Sequence, residues 1–445
     1  MGQPTAQRRS LGRTGALVLT VNGGLVAVGF ATSVLVSRTL GPSGKGSFDL
    51  MTSTTALLSL LLGASLAAGV TFGVARRAAV ARQLLLPLVA VAVAQALIAM
   101  LVLTWANGTA LGATLLPPGG GQRAVMAITF AVGLSGLAVY GRGILAGLDR
   151  VLEANLRDAL GRAALLAALF AGTLVAAGNG APPTSTDLIV AWAAGWLIAA
   201  VIVVVGLPRP ALRRPDASTL RGLAAFGLTA HASNVVQFLN YRLDLFVVAW
   251  FRGPAEVGLY ALAGSTAQLV WLLSNSAASV IFPRVASGAD SPRAAVERTT
   301  RVARLLLLGS ALAAAALAIV GRPLFAVVFG SGFEDAYWPL LLLLPGIVVF
   351  ASTNVLASYL AGMGRPQLNF YVAITGLAAT LVLDMALIPV FGMSGAAVAS
   401  SLSYGCGAIA MAALFGRATG RPLLDLIPRG ADVRALVSMI PWLGR

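Results

Sequence analysis

Charge is scarce in this sequence: 10% of its 445 residues are Asp, Glu, Lys or Arg, and 58% are hydrophobic. Soluble globular proteins carry roughly 25% charged residues. A folded body in water is therefore excluded and a polytopic membrane protein is predicted. Cysteine occurs once, at Cys406, which excludes an intrachain disulfide and a thiolate metal site. Histidine also occurs once, at His231, so no His-rich cluster exists for metal or acid–base chemistry. The glycine-rich strings "GNGAPP" and "GGGQR" lack the Lys-Ser/Thr pair of a nucleotide-binding loop. ATP hydrolysis is not expected, no enzymatic motif is present, and gradient-driven transport follows by elimination.

What the chain has instead is apolar length. A helix crossing the ~30 Å hydrocarbon layer needs about 20 apolar residues. Twelve runs qualify, approximately 14–37, 48–73, 84–105, 123–147, 155–178, 185–207, 222–251, 256–282, 303–327, 337–361, 367–389 and 394–416. They are continuously apolar rather than alternating, which rules out a transmembrane barrel. The net charge of +16 would suit nucleic acid in a soluble protein, but the basic residues cluster in short connectors. Twenty-four fall on the side that holds both termini and five (Arg38, Lys45, Arg123, Arg252, Arg322) on the other. That asymmetry places both termini in the cytoplasm of an inner (plasma) membrane protein, with no nucleic-acid partner. The opening "QRRSLGR" resembles a twin-arginine signal, but the run at 14–37 is too long for a signal-peptide core and reads as an uncleaved span.

The string "FRGPAEVGLY" at 251–260 has a near copy, "LGPSGKGSF", at 40–48. At an offset of 212, Gly41-Pro42 falls on Gly253-Pro254, Gly46 on Gly258, Phe48 on Tyr260, Ser53-Thr54 on Ser265-Thr266 and Asn22 on Asn234. "LAGLDR" at 145–150 recurs as "LAGMGR" at 360–365, offset 215. Two motifs in one order at nearly one spacing predict a duplication of six spans. An even number makes the halves parallel repeats about an axis along the membrane normal. The predicted organisation is a cytoplasmic N-terminus (1–13), a six-helix bundle (14–207), a Pro/Arg-rich cytoplasmic linker (208–221), a second six-helix bundle (222–416) and a cytoplasmic tail (417–445). The tail, with Leu, Val and Trp among arginines, reads either as disordered or as a helix on the inner leaflet.

"SRTLGPSGKGSFDL", "LFVVAWFRGPAEVGLYALA", "IFPRVA" and "LIPVFGMSGAAVASSLSYG" together resemble the polysaccharide (oligosaccharide) flippases of the multidrug/oligosaccharidyl-lipid/polysaccharide exporter superfamily. The resemblance spans residues 14–416. It implies an all-α protein of 12 transmembrane helices in two pseudo-symmetric six-helix bundles around a central cavity, working by alternating access. The implied cargo is an undecaprenyl-diphosphate-linked oligosaccharide, moved from the inner to the outer leaflet. Membrane lipids, a polysaccharide polymerase and glycosyltransferases are the partners it suggests. A drug or cation antiporter on the same architecture is the rival reading. A membrane enzyme is a third, disfavoured because the longest external connector, 106–122, is short.

Polar groups inside apolar runs are the candidate site residues, since an unpaired charge there costs several kcal/mol. The seventh run is the most polar: Ser233, Gln237, Asn240 and Asp244 share a helical face, with His231 and Arg242 opposite. Arg242 either faces the cavity and grips the diphosphate, as a guanidinium can, or snorkels to the outer surface. Arg142 has the same two readings at the inner-leaflet end of span 4. Asn22, Gly23 and Gly24 mark either a bend in the first span or close packing. Asp244 and Asp384 stand at comparable depth, with Asn240 and Thr380 one turn before each. Two carboxylates repel unless a cation or shared proton lies between them, and an all-oxygen set suits a hard cation such as Na⁺. The resemblance adds that the related lipid II flippases have a cation site between the corresponding helices. Many members carry Asn where this chain has Asp384. Asp244, Asp384, Asn240 and Thr380 either form a Na⁺ or H⁺ coupling site or leave Asp384 hydrated at the outer interface; no other cofactor or metal is expected.

Overall fold

A bilayer core offers no water to backbone N–H and C=O groups, so a chain this apolar must close its hydrogen bonds within helices. The structure, a computed structural model, describes residues 5–116, 120–211 and 215–438, with side chains from residue 23 onward except those of Ala230 and Val437. The Asn22 side chain, residues 1–4 and 439–445 of the predicted termini, and 212–214 of the predicted linker lie outside the described residues. Among the described residues there is no strand.

The helices are α1 (Thr5–Gly63), α2 (Leu66–Arg76), α3 (Ala81–Ala106), α4 (Ala110–Leu115), α5 (Gly121–Gly147), α6 (Val151–Gly178), α7 (Ser185–Val205) and α8 (Ala217–Arg252). After them come α9 (Pro254–Ala267), α10 (Trp271–Ala286), α11 (Pro292–Leu324), α12 (Tyr337–Ala351), α13 (Thr353–Gly362), α14 (Gln367–Thr419) and α15 (Gly430–Ser438). Nine helical segments among the described residues are long and apolar enough to cross a membrane, against twelve predicted runs. The numbers differ for physical reasons. Helices α1 and α14 each run through a non-helical glycine, Gly41 and Gly392, with no intervening loop. Helix α8 is too polar to qualify.

The chain divides into two units, Met1–Val235 and Val236–Arg445. The division falls inside α8 rather than in the predicted linker at 208–221. The reason is packing: Leu223 lies on the Cβ-less faces of Gly69 and Gly73, and Phe226 stacks on Phe72 at 4.2 Å. Within the first unit, α6 and α7 pack closely because small residues meet: a Cβ on Gly161 would stand 3.0 Å from that of Ala199. In lipid, helix association rests on such van der Waals fit rather than on dehydration, so this close approach is what holds the two helices together. One core gathers Phe48, Met51, Ile128 and Leu169, another Val70, Leu84, Tyr140 and Ile144. The second unit is built on Ile281, Val355, Leu360, Met411 and Phe415.

The duplication is written in the backbone. Gly41 (φ 66°, ψ −177°) and Gly253 (φ 85°, ψ −178°) adopt the same left-handed conformation, each followed by a proline that cannot donate a hydrogen bond. Asp149 (φ 62°) and Gly364 (φ 77°) match in the same way in the second repeated string.

The Gly392 kink (φ 58°), just past Pro389, frees backbone groups of α14. The junction of α8 and α9 takes them up. Arg252 donates to the carbonyls of Ile388 (3.4 Å), Pro389 (3.1 Å) and Val390 (2.8 Å). Glu256 accepts from the backbone N–H of Met393 at 2.7 Å. Within the described residues the tail is likewise held by ion pairs. Asp432 meets Arg304 of α11 at 2.7 Å, Asp425 binds Arg421 and Arg429, and Arg421 also reaches Glu297.

Hydrogen bonds to charged groups contribute about 1.5–3 kcal/mol each, less where exposed. Arg252→Ala is therefore expected to lower stability by about 1–2 kcal/mol, with Glu256→Gln milder because it keeps an acceptor; thermal unfolding in detergent reads both, and an unchanged Arg252→Ala midpoint contradicts the clamp. For the tail, burial would raise the Asp432 carboxyl, but the Arg429 backbone N–H and the Arg304 guanidinium outweigh it and hold the group below the ordinary aspartate range. A depressed carboxyl contributes stability above its unfolded value of about 4 and loses it as pH falls through the lower folded value. The tether is thus intact at neutral pH. Asp432→Asn or Arg304→Ala should speed proteolysis within 420–438 at pH 7, whereas wild type should show that acceleration only in strong acid.

Candidate functional site

Helices α8, α9 and α14 bring three oxygen-bearing side chains together inside the second unit. Asp244 is 5% exposed. Its Oδ2 accepts from the Tyr260 hydroxyl and, at 3.1 Å, from Ser400 Oγ, while Oδ1 accepts from the Leu245 backbone N–H at 2.8 Å. Tyr260 and Ser400 are themselves 3.0 Å apart. Asp384 of α14 is 0% exposed, and neither of its oxygens has a hydrogen-bond partner among the described residues. The charge of Asp244 reaches it. Thr380, one turn earlier on α14, is also buried. Among the described residues no third acidic, His or Cys group joins them, so the oxygens come from a carboxylate pair and hydroxyls.

The other predicted residues of α8 are placed nearby with different partners. Asn240 donates to the backbone carbonyls of Val236 and Ala373, at 3.0 and 2.9 Å. With Gln237 it borders a cavity of about 110 Å³ between α8, α13 and α14, shared with Thr353, Asn354 and Ser403. Arg242 is exposed. Although expected opposite Asp244, it borders the same small cavity of about 40 Å³ as Asp244 and Tyr260. Asp244 is thus joined by Tyr260 and Ser400, and Asn240 is turned toward the α14 backbone.

In the first unit, Arg142 is paired with Asp158 of α6 at 2.5 Å, and Asp158 also meets Arg162 at 3.3 Å. Its charge is thus shared within the bundle. Helix α1 runs through Gly23 and Gly24 without a break; the interruption comes at Ala64 and Ser65, both left-handed (φ 44° and 50°). Gln95 donates to the freed Leu62 carbonyl at 3.2 Å and to the Tyr140 hydroxyl. Ser65 accepts from Asn234 at 2.8 Å and lies 3.3 Å from His231 Nδ1, so His231 is a hydrogen-bonded residue beside the break. A cavity of about 410 Å³ opens there, bordered by Ser59, Ser135 and Tyr140.

Sequence reasoning missed Tyr260 and Ser400. Tyr260 carried a usable signal: it is the repeat counterpart of Phe48, which packs edge-on against Trp192 at 6.4 Å, so the added hydroxyl marked the divergence. Nothing local marked Ser400. No local pattern marked the break at Ala64 and Ser65 either.

The chain as described is an all-helical, multi-pass membrane protein, and its fold is that of known transporters. It covers 96% of its length on lipid II flippase MurJ in an inward closed conformation (TM-score 0.73, 12% identity, 91% of that chain). It covers 89% on an inward-facing multidrug resistance MATE family transporter of the MOP superfamily (TM-score 0.71, 12% identity, 94% of that chain). The signature of a family described as "Polysaccharide biosynthesis protein" matches residues 162–337. Two Haloferax volcanii proteins are similar. "Probable low-salt glycan biosynthesis flippase Agl15" is 24% identical over 218 residues, 47% of this chain and 45% of that protein. "Probable flippase AglR" is 24% identical over 206 residues, 44% and 42%. The match thus spans less than half the length of either relative. Family signature, relatives and fold agree with the resemblance to polysaccharide flippases of the MOP superfamily, and the similar proteins are flippases and transporters rather than enzymes.

Removing the Tyr260 hydroxyl leaves a buried carboxylate short of a donor, which costs about 1–3 kcal/mol. Tyr260→Phe should destabilise the protein by that amount, and in a double-mutant cycle with Asp244→Asn the pair should couple by at least about 0.5 kcal/mol. Additive effects in thermal unfolding would contradict a direct bond.

Proposed function

We propose that this chain is a flippase for undecaprenyl-diphosphate-linked oligosaccharide. It carries its cargo from the inner to the outer leaflet by ion-coupled alternating access during cell-surface polysaccharide biosynthesis. The flippase relatives and the MurJ-like fold support the cargo class. The single observation that carries the coupling is Asp384: fully buried, with two oxygens lacking donors, beside a second buried carboxylate. An ionised carboxylate in that setting costs several kcal/mol, so the site favours either a bound proton or a small cation. The oxygen-bearing side chains Asp384, Asp244, Tyr260, Ser400 and Thr380 suit by their chemistry Na⁺, a hard cation that takes all-oxygen ligands. Loading then changes the charge of the pair and with it the preferred packing of α8 against α14. Arg242 and Gln237, both exposed on α8, are the groups we assign to the diphosphate and the glycan. The positive-charge asymmetry supports both termini in the cytoplasm of the plasma membrane. Glycosyltransferases and a polysaccharide polymerase are the enzymes such a step requires on either side of it.

The buried acidic pair and the likeness to a multidrug transporter also favour a second reading, a drug or cation antiporter. Vesicles containing the purified chain separate the two. A labelled undecaprenyl-diphosphate oligosaccharide should flip faster under an imposed Na⁺ or proton gradient, and Asp244→Asn and Asp384→Asn should each reduce that gradient dependence at least tenfold. Unchanged coupling in both variants overturns the ion site. Accumulation of a fluorescent cationic drug without lipid flipping selects the antiporter.

A further inference from the structure

Along α5, α6 and α7 of the first unit runs a trough of about 950 Å³, at the upper end of the 300–1,000 Å³ range of ligand sites. Its polar residues, Arg123, Asn179 and Asp187, all stand at one end, where α5 and α7 begin and α6 stops. The rest is apolar. On α5 the lining extends from Arg123 through Phe130 to Leu134; eleven steps of 1.5 Å make about 16 Å. Half of a ~30 Å hydrocarbon core is about 15 Å, so the trough is one leaflet deep. Small side chains of α7, Ala191 and Ala194, lie along it, while Phe130 at its side is 63% exposed.

The cation at the mouth has no ion-pair partner among the described residues, although Asp187 stands at the same end. Arg123 is exposed and makes no ion pair or hydrogen bond with another described residue. Asp187 is already engaged: its carboxylate accepts from the backbone N–H and the hydroxyl of Thr184, at 3.0 and 2.7 Å. A guanidinium offers paired donors that match phosphate oxygens. A cation at the interface over a leaflet-deep apolar slot has the form of a lipid.

We propose that this trough binds one anionic phospholipid, its phosphate on Arg123 and one acyl chain laid along α7 between α5 and α6. The depth selects an acyl chain: a polyprenyl carrier is far longer than one leaflet and would overrun the slot. This site is independent of the transport reading and of the acidic pair in the second unit.

Native mass spectrometry of the full chain, titrated with phosphatidylglycerol and phosphatidylcholine, tests it. Wild type should retain one phosphatidylglycerol over phosphatidylcholine by roughly fivefold, the effect of one interfacial cation. Arg123→Gln should erase the preference, Arg123→Lys should keep part of it, and Ala194→Trp, which fills the slot, should lower retention of both lipids. Equal retention of the two headgroups by wild type, or an Arg123→Gln variant indistinguishable from it, overturns the proposal. So does unaltered retention in a folded Ala194→Trp variant. Retention of added polyprenyl monophosphate in place of phosphatidylglycerol would also overturn it, by assigning the trough to a carrier lipid.

Discussion

A helix that breaks inside a membrane must find new partners for the backbone groups it releases, and the rest of this structure is arranged around that requirement. At Gly392 the partners are Arg252 and Glu256, which bind freed carbonyls and an N–H on either side of the kink. At Ala64 and Ser65 the freed Leu62 carbonyl is bound by Gln95. In water such breaks would be solvated at little cost; in lipid each orphaned group costs several kcal/mol. The strings "FRGPAE" and "LIPVFGMSG", which carry the family resemblance, are therefore two halves of one interaction. Their charged residues sit where they do because a kinked helix needs both a donor and an acceptor.

The same requirement explains how duplicated halves diverged. The left-handed Gly-Pro corners at Gly41 and Gly253 are alike, because any other residue there would be strained. Away from the corners the copies differ in polarity. At the offset of 212, Asp244 and Tyr260 correspond to Thr32 and Phe48. Phe48 lies in an apolar core, and Thr32 bonds back to its own helix at Val28. One copy thus kept a close-packed interior, while the other acquired a hydroxyl-ringed carboxylate.

Asp384 is the residue whose placement most constrains the chemistry. A carboxylate with hydrogen bonds can be buried ionised, as Asp244 can with Tyr260, Ser400 and the Leu245 amide around it. One without donors cannot be, short of a proton or a cation. One acid with donors and one without thus stand in the same unit, and the two cannot be ionised at the same cost.

Composition, run length and the Gly-Pro repeat made the all-helical membrane class, the duplication and the cost of placing Asp244 and Asp384 in apolar runs legible, because each is a local or periodic property of the chain. The twelve predicted runs did not map one to one onto helices, since whether a glycine bends a helix or ends it depends on what binds the freed backbone. Arg142 and His231 looked alike in sequence as isolated polar groups in apolar runs; only packing revealed Asp158 beside one and Ser65 beside the other. The sequence by itself determined which residues must lie in the membrane and which of them are costly there, because hydropathy and charge belong to residues. Tertiary structure alone decided which costly groups are satisfied, because a hydrogen bond such as that from Ser400 to Asp244 joins positions 156 residues apart, and no local pattern records its partner.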